Sequence, residues 1–121
     1  MSGPGKRVLL VDDHVDSAEL MAELLRAKGL NVWVASNALA ALDLVSTFSP
    51  EVVLLDIGLP EITGYELARR IRQSGATCRL VAVTGYGDPD ARARSREAGF
   101  AAHLVKPVSV DEVMLQIIDG R

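Results

Sequence analysis

At 121 residues, with 49% hydrophobic and 24% charged residues, the chain fits one domain around one core and is neither disordered nor fibrous. Thirteen lysines and arginines against sixteen aspartates and glutamates leave a net charge of -3, which is not the balance of a nucleic-acid binder. The lone Cys78 excludes an internal disulfide, MSGPGKR lacks the apolar stretch of a secretory signal, and no apolar run approaches the ~20 residues of a membrane span, so a cytoplasmic protein with no membrane partner is expected.

In chain order, short aliphatic runs alternate with longer helical patterns. The first run, 7–11, is followed by the adjacent aspartates Asp12 and Asp13 and a helical pattern over 15–28 that stops at Gly29. A second run at 31–35 precedes a helix expected over 37–48. The third run, 52–55, ends in Asp56, and Thr63-Gly-Tyr-Glu66 then has the spacing of a capping box opening a helix over 63–74 before Gly75. The fourth run, 80–83, ends in Thr84; Asp88-Pro89 offers an N-cap with proline at the first position of a helix over 89–98, closed by Gly99. The fifth run, 102–105, ends in Lys106, and Ser109-Val-Asp-Glu112 is a second capping box for a helix over 109–118.

Runs this short, rich in Val and Leu and apolar at consecutive positions, read as parallel strands covered on both faces. Five strand–helix repeats imply right-handed crossovers and a doubly wound α/β sheet of five strands flanked by five helices. The chain is read as one domain over 1–121 with a flexible start over 1–6. Such sheets bind ligands beyond the carboxyl ends of their strands, which is where Asp12, Asp13, Asp56, Thr84 and Lys106 fall. Three clustered carboxylates repel one another unless protons or a cation intervene. A hard divalent ion suits them, magnesium or manganese in its place, and no His/Cys spacing suggests zinc. The lysine and threonine add a positive charge and a hydroxyl for a phosphoryl group arriving beside the metal.

Over nearly its whole length the sequence resembles the receiver domain of bacterial two-component response regulators, through VLLVDDH, VVLLDIGLPEITGYELARRIR, VAVTGYG and AGFAAHLVKPV in that order. The resemblance implies a flavodoxin-like sheet of order 2-1-3-4-5 and a phosphorylation-dependent signalling switch with self-catalysed phosphoryl transfer rather than an enzyme. Asp56 would accept the phosphoryl group from a histidine kinase or histidine phosphotransfer protein. Asp12, Asp13, Asp56 and the backbone carbonyl of Gly58 would hold magnesium, Lys106 would pair with the phosphoryl group and Thr84 would hydrogen-bond to it. It further implies a cis bond before Pro107, a rotamer switch at His103 coupled to Thr84, and tuning of the phosphoryl lifetime by Gly58 and Tyr86. The output partner or fused output domain stays open.

Other residues carry plainer readings. His14 is a loop or cap residue bordering the metal site, a neutral imidazole being a poor magnesium ligand. Trp33, Met21 and Met114 are core or partly buried packing residues. Arg92, Arg94 and Arg96 form a solvated face, with a signalling surface of the fourth helix, fifth strand and fifth helix as the alternative. Two other classes compete: a haloacid-dehalogenase-like phosphatase, which expects an aspartate two positions after its nucleophile where this chain has His14, and a flavin carrier, whose phosphate adjacent aspartates would repel. A receiver module cut from a hybrid histidine kinase is a further alternative, suggested by the DIGLP wording.

Overall fold

The computed structural model describes residues 5–85 and 91–118, without the side chains of Ala91 and Arg92. Ten elements alternate along them: β1 (Arg7–Val11), α1 (Val15–Ala27), β2 (Asn31–Ala35), α2 (Ala38–Thr47), β3 (Val52–Asp56), α3 (Gly64–Gln73), β4 (Arg79–Thr84), α4 (Ala91–Ala98), β5 (Ala102–Val105) and α5 (Val110–Ile118). The strands form one parallel sheet in the order β2-β1-β3-β4-β5. Tyr86 and the Asp88-Pro89 cap lie outside the described residues.

Consecutive apolar residues are required because successive side chains of a strand point to opposite faces and both faces are covered. Leu9, Val11, Val53, Leu55, Leu80 and Ala82 pack with Ala41 and Val45 of α2, Leu67 and Ile71 of α3 and Ala98 of α4. Val8, Leu10, Val52, Leu54 and Val81 pack with Ala22 and Leu25 of α1 and Val113 and Ile117 of α5. The chain therefore winds helices onto both faces of a central β1-β3-β4 floor.

Both capping boxes form, to different extents. Ser109 Oγ accepts the Glu112 amide at 3.1 Å while Glu112 returns a carboxylate to the Ser109 amide at 3.0 Å. Thr63 Oγ1 accepts the Glu66 amide at 3.1 Å, but the Glu66 carboxylate turns to Arg70 at 3.2 Å. Asn37 caps α2 through its side chain, accepting from the Ala40 amide. Gly29, Gly75 and Gly99 follow α1, α3 and α4 with φ of 93°, 91° and 100°, the left-handed conformation a helix stop requires.

Two expectations need correction. Trp33 is not core: β2 is an edge strand, and the indole is 49% exposed, resting on the Phe48 ring at a centroid distance of 5.2 Å. Met21 and Met114 do pack, partly buried, on the α1/α5 side. Arg94 is also more than a solvated charge, since its guanidinium lies 5.6 Å from the centroid of the Tyr65 ring. At the N-terminus, Lys6 is tied to the fold by a bond from Nζ to the Ile117 carbonyl.

Candidate functional site

Strand register, rather than any local motif, assembles the site. Val11 pairs with Leu55, so the residues that follow, Asp12 and Asp56, emerge side by side. Asp56 pairs with Val83 and Thr84 with Val105, which sets Thr84 and Lys106 on the neighbouring strand ends. The Lys106 amide also donates to the Thr84 carbonyl at 2.7 Å, fixing the start of the loop that carries the lysine. The Lys106–Pro107 peptide bond is cis.

Asp56 is 8% exposed, the last residue of a strand buried throughout. Its Oδ2 takes Lys106 Nζ at 3.1 Å and its Oδ1 takes the Gly58 amide at 2.9 Å. An ionised carboxylate at that depth needs such partners. Lys106 Nζ also stands 3.8 Å from Asp12 Oδ2. Asp12 Oδ1 accepts the His14 amide at 2.9 Å. Burial pushes the Asp12 carboxyl above the usual range; the His14 amide and Lys106 oppose this, and neighbouring Asp56 adds to it.

Ligating atoms of Asp12, Asp13, His14 and Asp56 all lie within 4.8 Å of one another. Asp13 Oδ1 is buried with no hydrogen-bond partner among the described residues, an acceptor that a cation would satisfy. The oxygen-rich donors fit a hard divalent ion. His14 stands at the start of α1 but makes no side-chain cap; its imidazole faces the carboxylates instead.

Thr84, 7% exposed, meets His103 through an Oγ1–Nε2 contact of 2.9 Å. Gly58 keeps space beside Asp56, since a Cβ there would meet only Asp56 Oδ1, at 3.6 Å, among the described residues. The acidic edge opens into a cavity of about 510 Å³ between α1 and the loop to α5, walled by Met21 and Val113 and rimmed by Asp12, Asp56 and Lys106.

One contributing residue went unnoticed in the sequence. Gly64 opens α3 directly behind Asp56, where a Cβ would come 2.7 Å from Ile57 Cα and 2.9 Å from the Asp56 carbonyl oxygen. The signal available was a glycine inside a capping box, where a residue with a better helix propensity would ordinarily serve. Cys78 is buried, and that burial raises its thiol pKa against the pull of Arg72, in keeping with a packing role.

Comparison with known proteins bears on all of this. The sequence profile described as the response regulator receiver domain matches residues 8–118. Sporulation initiation phosphotransferase F of Bacillus subtilis is 33% identical over 89% of this chain and 87% of its own length. The sensor histidine kinase RcsC of Salmonella typhimurium is 36% identical over 86% of the chain, which spans only 11% of that kinase. Among solved structures, a response regulator from Burkholderia pseudomallei, determined with a phosphorylated aspartic acid, a calcium ion and citrate, aligns with a TM-score of 0.86 at 25% identity, covering 93% of this chain and 66% of that one. These matches displace the phosphatase and flavin-carrier readings. The chain, by its matched residues 8–118, its sheet order and its relatives, belongs to the response regulator receiver domain family of two-component and phosphorelay signalling.

Proposed function

We propose that the chain works as a switch set by a phosphoryl group on Asp56. The observation that carries this is a carboxylate 8% exposed, held at 3.1 Å by Lys106 within a cluster of acidic groups. A phosphohistidine of a histidine kinase or phosphotransfer protein would donate. An Asp56 carboxylate oxygen attacks phosphorus, the P–O bond forms as the P–N bond to the donor imidazole breaks, and the imidazole takes up a proton from water. A divalent cation, magnesium or manganese, held by Asp12, Asp13, Asp56 and the Gly58 carbonyl would offset charge on the acceptor and on the phosphoryl oxygens.

The chain's own groups then rearrange. Lys106 Nζ, now on Asp56 Oδ2, follows the negative charge onto the phosphoryl oxygens. The Thr84 hydroxyl is shared between two claims, the phosphoryl group and His103 Nε2. Phosphorylation that wins the hydroxyl releases His103, and a cavity of about 240 Å³ lined by Ser95, Phe100 and His103 gives the ring somewhere to go. The Ser95 hydroxyl there is buried without a hydrogen-bond partner among the described residues. The α4–β5–α5 surface would carry the change to a partner.

Incubation with magnesium and acetyl phosphate is expected to add one phosphoryl group, seen by intact mass and removed by hydroxylamine. Equal labelling of Asp56→Asn would sink the assignment. A second reading, that the domain works as one module of a hybrid kinase rather than by itself, is favoured by the likeness to RcsC. The sequence of the parent reading frame decides between them.

A further inference from the structure

The His14 imidazole lies among the carboxylates and makes no side-chain cap on the helix it begins. Its Nδ1 is 3.2 Å from Asp12 Oδ1 and 3.5 Å from Asp13 Oδ1. Two donor atoms bound to one ion at about 2.0–2.1 Å stand roughly 2.8–3.0 Å apart when cis in octahedral geometry and roughly 3.3–3.4 Å apart in tetrahedral geometry, so the imidazole, at 3.2 and 3.5 Å, already sits near ligand spacing from both carboxylates. The amide of His14 is anchored on Asp12 Oδ1, and that oxygen keeps a second lone pair for a cation. The ring is 69% exposed, so turning it onto an ion disturbs no packing.

We propose that His14 Nδ1 is a nitrogen ligand of this site, making it a binding site for a borderline first-row transition ion, such as cobalt or nickel, as well as for a hard ion bound through oxygen alone. Imidazole suits cobalt, nickel, copper and zinc, whereas magnesium takes carboxylate, carbonyl and water. The two kinds of ion would share Asp12, Asp13 and Asp56 and differ in their use of His14. This rests on the reading of the acidic cluster as a divalent-cation site.

The test uses the untagged full chain and four metals, magnesium, manganese, cobalt and nickel, titrated by calorimetry into the native protein, His14→Ala and His14→Asn. Circular dichroism checks that the variants fold; the exposed ring makes that the expectation. Nickel and cobalt affinities should fall about tenfold or more in both variants while magnesium changes less than about twofold. The hyperfine-shifted proton spectrum of the cobalt-loaded native protein should include ring protons of one imidazole that vanish in both. Absence of those ring protons, or equal losses for magnesium and nickel, would overturn the role of His14 and leave the cation site standing. Failure of all four metals to bind would overturn the cation site itself.

Discussion

Asp12 shows how much one residue depends on its surroundings. Its carboxyl pKa is raised, chiefly by burial, so the folded chain holds the Asp12 proton to higher pH than the unfolded chain does. Over the interval from the ordinary aspartate value near 3.8 up to the raised one, the folded state binds more protons, and the contribution of Asp12 to stability falls as pH rises. Without metal, Asp12→Asn is therefore expected to melt higher than the native protein at neutral pH, with the difference shrinking toward pH 4. Thermal melts in a chelator at several pH values check it, and a lower melting temperature for the variant at neutral pH would refute it. Asp56, Thr84 and Lys106 were legible as candidates because each is the polar residue that ends an apolar run. The pairing of His103 with Thr84 was implied by the resemblance alone, since it joins side chains of two strands, and the face His14 presents is set by a single backbone hydrogen bond that no motif announced.

Among the elements, α3 carries the sharpest dependence. Gly64 packs at van der Waals limits against the strand end that presents Asp56. Gly64→Ala is expected to cost about 1–3 kcal/mol by forcing the helix off the strand, whereas the same change at Gly85, where a Cβ meets nothing within 4 Å among the described residues, should leave packing undisturbed. Urea unfolding of the two variants makes the comparison. The two capping boxes give a second contrast. Glu112→Ala removes the acceptor of the Ser109 amide and should destabilise by about 0.5–1 kcal/mol, while Glu66→Ala loses only surface pairs with Arg69 and Arg70 and should cost less. Equal costs would mean that the reciprocal bond at Ser109 adds nothing. Both boxes were visible as spacings four residues long, and Arg70, four residues after Glu66 on the same helix, stands where it can draw that carboxylate from the cap.

For the whole molecule, a cation held at the acidic edge would couple binding to folding. A divalent ion that binds only the native state stabilises by RT ln(1 + [L]/Kd), about 2.7 kcal/mol at a concentration one hundredfold above Kd. Magnesium is therefore expected to raise the melting temperature by several degrees, and to do so much less in Asp56→Asn, which loses a carboxylate from the cluster. Differential scanning calorimetry with and without magnesium measures both. Among the described residues no helix is long and apolar enough to cross a membrane, and the exposed Leu20, Leu24, Leu115 and Ile118 lie on α1 and α5, the two helices that share one face of the sheet.

The amino-acid sequence by itself determined the alternation of elements, the two-faced strands, the helix stops at Gly29, Gly75 and Gly99, and the polar residue that ends each run. These follow from periodicity, capping and backbone conformation, which act over a few residues. Tertiary structure alone decided that Trp33 rests on an edge strand in solvent, that Arg94 lies over Tyr65, that α3 leaves room for nothing larger than Gly64, and that His14 faces the carboxylates. The first three depend on which elements are neighbours and in what register, a matter of contacts far apart along the chain that no local pattern encodes, and the last on a turn held by the His14 amide on Asp12 Oδ1.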